Sequence, residues 1–287
     1  MPCLLRIDSS ARRDGSVSRD LGDAFEAAWL ERGLNFTVVR RDLADSVVPQ
    51  IAQATIAAFY APPGAMTDDL RAASALSDTL IAELKSADEL LITVPMYNFT
   101  VPSALKAWID QVVRINHTFA FDGTGFKGLL TARRATVISA HGAAGYLGGA
   151  FAAADFCNPY LKFLLSFLGI TTVEHIGVEG TTGDAVVLAK QIADADARVA
   201  LTAVQSWERI SREQSRRPWS WCDGKSHGES PDRRRASCHG VEPEHGAKRG
   251  IATGRGHHRI VPRRRGECGR VRHFDGARRH CFARGLA

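Results

Sequence analysis

Up to about residue 210 the chain alternates two kinds of segment, and that alternation restricts its fold more than anything else in it. Short apolar runs at residues 4–7, 36–39, 89–94, 135–139 and 172–178 have the length and bounding turn residues of buried strands. Between them lie longer segments with apolar residues on one helical face. Leu21, Phe25 and Trp29 are spaced i, i+4, i+8, and Leu76, Leu80, Ile81 and Leu84 share a face of residues 70–85. Residues 105–112, 160–168 and 185–209 read as helices in the same way, the last with Asp184 as its cap. Parallel strands need crossover helices, so five strands alternating with five helices predict a parallel sheet covered on both faces. For about 200 residues the doubly wound order 2-1-3-4-5 is the economical arrangement. A hairpin-like stretch with Phe119, Phe121 and Gly123 precedes the fourth strand.

From Arg212 the pattern stops. Residues 211–287 hold 19 Lys and Arg against 8 Asp and Glu, a net of +11. The formal charge of +6 for the whole chain therefore leaves residues 1–210 at −5. Arg, Gly, His, Pro and Ser dominate the tail, and such a composition cannot bury enough apolar surface to offset the entropy of ordering. Disorder is expected there. An out-of-frame or read-through origin fits the composition, and its arginines would attract nucleic acid without sequence preference. Cys222, Cys238, Cys268 and Cys281 include no C-x₂-C pair, which argues against zinc. No basic segment followed by a long apolar run opens the chain, and charges interrupt every apolar stretch before it reaches a membrane span. A soluble, cytoplasmic protein is expected, with two cysteines in the first 210 residues and no disulfide-scaffold spacing.

In a sheet of this kind ligands bind where strands end, and three strand ends carry the residues for it. After the first strand come Ser9, Ser10, Ser16, Val17 and Ser18. A helix N-terminus there would offer free N–H groups, and the serine hydroxyls would add neutral donors, so a phosphate monoester needs little direct cationic pairing. Ser16 or Ser18 is equally read as a helix cap. The P-loop GxxxxGK is absent, and the dinucleotide fingerprint GxGxxG does not follow the first strand. After the third strand, Pro95-Met96-Tyr97-Asn98-Phe99 supplies hydrogen-bonding groups and flat or adaptable side chains suited to a polar-edged ring. Taken alone it is also an ordinary strand-to-helix turn. After the fourth strand, Ala140-His141-Gly142-Ala143 gives backbone that a ligand can approach closely, with His141 expected to face solvent. The three loops together predict a flavin site.

With these blocks in view, residues 1–207 resemble the FMN-dependent NADH:azoreductases, flavodoxin-like relatives of the NAD(P)H:quinone oxidoreductases. Ser9-Ser10, Ser16-Val17-Ser18, Ala82-Glu83-Leu84-Lys85 and above all Met96-Tyr97-Asn98-Phe99 carry the likeness, supported by Asn158-Pro159-Tyr160-Leu161 and Phe167-Leu168-Gly169-Ile170. The resemblance implies a flavodoxin-like domain over residues 1–210, followed by the tail at 211–287. It places the FMN phosphate on Ser10 and Ser16-Val17-Ser18, and the ring on Met96, Tyr97, Asn98 and Phe99. A further ring contact falls on Ala140, His141, Gly142 and Ala143, where the family commonly has Ser-Arg-Gly-Gly. It also implies a homodimer with each site at the subunit interface, and Phe119, Phe121 and Phe163 lining a substrate slot. Two electrons would pass from NADH to a quinone or azo acceptor in ping-pong fashion, with no catalytic side chain and no metal. The alternative is an electron-transfer flavodoxin with no substrate of its own. A phosphoester hydrolase would need a Cys-x₅-Arg pocket or a metal cluster, and neither is evident.

Overall fold

The computed structural model describes residues 1–216, with side chains through residue 204 apart from Pro63. The Arg-rich segment and the disorder expected of it lie outside the described residues. Five parallel strands, β1 (Cys3–Asp8), β2 (Thr37–Asp42), β3 (Glu89–Pro95), β6 (Arg134–Ala140) and β7 (Val173–Val178), form a sheet of order β2-β1-β3-β6-β7. This is the doubly wound order expected from the alternation. Side chains leave each strand alternately, so both faces are buried. Leu5, Ile7, Leu90, Ile92 and Val137 point to a core closed by α3 (Asp68–Ser86), α4 (Ser103–Val112) and α5 (Asn158–Phe167). Leu4, Leu91, Ile138 and Ile176 point to the opposite core, closed by Phe25 and Trp29 of α1 (Val17–Leu30) and by Val199 of α6 (Ala185–Arg216).

The helix termini follow their local chemistry. Thr67 accepts from Leu70 N–H (3.3 Å) at the start of α3, where Asp68 and Asp69 complement the helix dipole. Asp184 caps α6 by accepting from the N–H groups of Val186 (2.9 Å) and Val187 (3.0 Å). The hairpin-like stretch is an antiparallel pair, β4 (Phe119–Phe121) with β5 (Phe126–Gly128). One helix was not anticipated. Residues Gln53–Tyr60 form α2, whose buried residues are only Thr55 and Ala58, so the segment shows no apolar stripe. It is held from outside, by packing on α3 and by the Arg114 guanidinium 4.7 Å above the Phe59 ring.

Arg6 lies in the middle of β1, yet it is 2% exposed. It shares the α1 face with Leu4 and is satisfied by Asp8 (3.0 Å), Asp23 (2.6 Å), Glu26 (3.0 Å) and the Arg19 carbonyl (3.3 Å). Burial by itself would depress the guanidinium, but Asp8 and Asp23 more than offset it and hold its pKa above the ordinary value. Arg19 in turn forks onto Asp42 at 2.7 Å for each oxygen and donates to the Ser10 carbonyl (2.7 Å), while Thr93 donates to Asp8 (2.7 Å). The ends of β1, β2 and β3 and the start of α1 are thereby tied together.

Replacing Arg6 with Met leaves buried Asp8 without its close cation, while Glu26 keeps Arg40, and is expected to cost about 3–5 kcal/mol. Urea unfolding measures it; a midpoint equal to wild type would show that water reaches these acids. A second expectation concerns acid. His175 of β7 contacts Ser139 of β6 (Nε2···Oγ 2.7 Å), and burial, reinforced by the nearby His141, pushes its pKa down to about 4. The unfolded chain, with an ordinary histidine, binds protons more readily between pH 4 and 6.5. Stability from this group is complete above about pH 6.5 and falls by about 3 kcal/mol as pH drops to about 4. His175→Gln should make the stability-pH curve shallower over that range, and an unchanged curve would refute the assignment.

Candidate functional site

The loops after β1, β3, β6 and β7 open at the carboxyl edge of the sheet and enclose a cavity of about 230 Å³. At one end lie Ser10, Ser16 and Ser18, exposed by 2%, 6% and 0%, with Val17 and Gly15 beside them. Ser16 is the first flanking residue of α1, but its hydroxyl makes no cap hydrogen bond and lies 3.5 Å from Ser18 Oγ. The first-turn N–H groups of α1 are thus left without an intrahelical acceptor and face an anion-attracting dipole end. Gly15, at φ +63°, makes the bend that brings the loop into the helix. Buried hydroxyls, bare N–H groups and a positive dipole end fit a phosphate monoester.

Arg12, which the serine-loop expectation leaves out, also lines the cavity. Arg6, Arg13 and Arg19 are held by Asp8, Asp45 and Asp42, whereas the Arg12 guanidinium has no carboxylate partner among the described residues. Thr181 and Thr182, after β7, were missed as well. The signal was available, since they occupy the same strand-to-helix position as the three loops that were considered.

At the other end of the cavity lie Pro95, Met96, Tyr97, Ala140 and Gly142. Tyr97 and Thr100 exchange backbone hydrogen bonds (3.0 and 3.1 Å) around Asn98 and Phe99, whose φ angles are +47° and +74°. Positive φ at both central residues is the pattern of a type I′ turn. Asn tolerates it, but a phenylalanine there is strained and persists only where its surroundings fix it. Asn98 and Phe99 stand beside the lining residues, with Phe99 half exposed, and Ala143 is exposed on the surface. The end of β6 is fixed by Met96 N–H on the Ala140 carbonyl (2.9 Å) and by Thr182 Oγ1 on the Gly142 carbonyl (2.8 Å).

His141 does not face solvent as expected. It is 0% exposed, its ring turned inward to Asn158 (Nε2···Nδ2 3.3 Å) and stacked on Tyr146 at 5.8 Å. Burial lowers its pKa, Asp155 and Glu179 offsetting only part of that effect. Cys157 is also buried, its thiol pushed up to about 12, which leaves it unreactive at neutral pH. Phe119, Phe121 and Phe163 do not line the cavity. Phe119 and Phe163 pack on Phe167 at 5.0 and 6.2 Å, and Phe121 packs on Phe126 at 5.0 Å. Phe163 also borders a second, apolar groove of about 540 Å³ with Val101, Lys106, Phe156 and Tyr160. Among the described residues no group of three His, Cys, Asp or Glu could hold a metal ion.

The family model described as "Flavodoxin-like fold" matches residues 3–201. The FMN-dependent NADH:quinone oxidoreductase of Xanthobacter autotrophicus is 55% identical over 175 residues, 61% of this chain and 84% of that protein. FMN-dependent NADH:quinone oxidoreductase 2 of Trichormus variabilis is 40% identical over 208 residues, 72% of this chain and 100% of that protein. Among solved structures, the FMN-dependent NADH-azoreductase of Bacillus anthracis in complex with FMN superposes with a TM-score of 0.65 at 27% identity, covering 71% of this chain and 99% of that one. By fold, by strand-end loops and by these likenesses, the chain belongs to the flavodoxin-like family of FMN-dependent NADH:quinone oxidoreductases.

Proposed function

We propose that this protein is an FMN-dependent oxidoreductase that passes two electrons from NADH to quinones and azo compounds, the two substrates using the site in turn. The observation that carries the reading is the cavity itself, which joins a phosphate-type end at Ser10, Ser16, Val17 and Ser18 to a ring-type end at Met96, Tyr97, Ala140 and Gly142. Bound there, FMN would supply the hydride-accepting and electron-releasing chemistry. The chain's own part is to hold, orient and polarise. Backbone groups at Asn98, Phe99, Gly142 and Ala143 would serve the ring edge, and Met96 and Tyr97 its face. Residues 1–210 would form the catalytic domain, with the segment beyond it dispensable for chemistry.

A second copy of the chain completes the proposal. Phe99, Phe156 and Phe163 are 51–67% exposed beside the site and the apolar groove. Large exposed aromatics grouped in this way suit a self-complementary interface, which would bring a partner's residues over the cavity. Among the described residues no helix is long and apolar enough to cross a membrane, and Cys3 and Cys157 are free thiols, in keeping with a cytoplasmic enzyme.

The purified full chain should release FMN on acid extraction and oxidise NADH with benzoquinone in the absence of any other protein, and a chain ending at Arg216 should do the same. FAD as the released flavin, or activity that requires a separate reductase, would sink the reading; the latter outcome is that of an electron carrier. The Arg12 assignment has its own test. Arg12→Gln should weaken FMN binding about tenfold, as expected for one charge-assisted hydrogen bond to an anion, and leave riboflavin binding unchanged. Equal losses for both flavins would place Arg12 away from the phosphate.

A further inference from the structure

The strained turn at Asn98 and Phe99 is held from one side by a neighbouring segment. Phe156 N–H donates to the Phe99 carbonyl (2.9 Å), and Thr100 Oγ1 lies 3.5 Å from the Phe156 carbonyl. The turn at residues 155–158 that presents Phe156 is organised by Asp155. Its Oδ1 accepts from the N–H groups of Cys157 (2.9 Å) and Asn158 (3.0 Å), and its Oδ2 from Asn158 Nδ2 (2.8 Å). A carboxylate can only accept, so the atom Asn158 turns toward Asp155 is its amide nitrogen. The second hydrogen of that nitrogen points to His141 Nε2 at 3.3 Å, which must therefore be the unprotonated ring nitrogen. His141 itself is immobile. Its N–H donates to the Val178 carbonyl (2.9 Å), and its carbonyl accepts from Thr181 N–H (3.1 Å).

We propose that His141 is a positioning residue: through Asn158 it fastens the 155–158 turn to the end of β6, and so keeps the Asn98–Phe99 turn in the shape that serves the flavin site. The proposal rests on the flavin reading above. One further observation separates it from simple core filling. The other ring nitrogen, Nδ1, is buried and makes no hydrogen bond of normal geometry among the described residues, the Val178 carbonyl being the backbone acceptor that bears on the ring. An apolar side chain of similar size would fill the space without burying a bare polar atom, so the imidazole is matched to its surroundings through Nε2. A protonated ring would present Asn158 with a donor in place of an acceptor and open the latch. The groups facing the ring are Asp155 and Asn158 of the turn, His175 and the Val178 carbonyl of β7, Glu179 after β7, and Tyr146, which stacks on it. Burial outweighs the attraction of Asp155 and Glu179 and favours the neutral, accepting form.

The test compares wild type with His141→Leu, His141→Gln, Asn158→Ala and the Leu/Ala double variant, all as full chains. Backbone hydrogen exchange is followed on flavin-free protein, and FMN affinity by titration. His141→Leu should speed exchange over residues 97–100 and 155–158 and weaken FMN binding about tenfold. Gln, whose side-chain oxygen can accept, should stay within about threefold of wild type. Asn158→Ala should match Leu, and the double variant should be no worse than either, since both remove one link. Wild-type affinity should fall more steeply in acid than that of the Gln variant, since the flavin phosphate titrates alike in both. Equal behaviour of Leu and Gln, whether both intact or both impaired, would overturn the proposal, as would faster exchange with undiminished FMN affinity or full additivity in the double variant. Absence of FMN binding by wild type would refute the flavin reading, while exchange in the Leu and Gln variants would still decide whether His141 holds the turn.

Discussion

Parallel register is the constraint on which the site depends. Asp8 pairs with Thr93, Pro95 with Ala140, and Ala140 with Val178, so β1, β3, β6 and β7 end within about one pleat of one another. Each crossover helix returns the chain to the opposite edge, and every strand-to-helix loop emerges on one side of the sheet. A hydroxyl-rich loop, a flat-faced loop and two small-residue loops meet there although they are far apart in the chain. A slip of one residue in any pair would reverse the faces of that strand and carry its loop out of line.

The register is reinforced beneath the serine loop by charge. Arg6, Asp8, Glu26, Arg19 and Asp42 form a connected network that is largely removed from water. Such a network contributes little net stability over an apolar packing of the same volume, because desolvation offsets most of the attraction. What it does supply is direction. Arg19 holds the Ser10 carbonyl and Asp42 together, and Ser9 donates to the Thr93 carbonyl at 2.8 Å. A loop held by hydrogen bonds of fixed geometry keeps its hydroxyls and N–H groups in one orientation, which greasy contacts would not do.

Strain sits in the turn after β3. Two consecutive residues with positive φ, one of them Phe99, would relax in an isolated peptide. Here the Tyr97–Thr100 pair closes the turn, and the Phe156 amide holds the Phe99 carbonyl. Exposed aromatic rings, Tyr97 and Phe99 of this turn and Phe156 against it, leave apolar area wet beside the strained backbone.

Much of this was legible in the order of residues. Alternating strand and helix periods, the carboxyl-end rule and the Met96–Phe99 block lead to the strand order and to most of the residues that line the cavity, because those features depend on local spacing. Helix α2 escaped because it buries only Thr55 and Ala58 and carries no stripe. The burial of Arg6 within its strand was not legible because its partners lie on other elements, and His141 looked solvent-facing because glycine-rich loops usually are. The fate of Arg12, the inward turn of His141 and the placement of Phe119 and Phe121 away from the cavity were decided only by tertiary structure. Local sequence sets backbone period and where strands end; whether a polar or aromatic side chain meets a partner, a core or water is a property of the segments that fold against it.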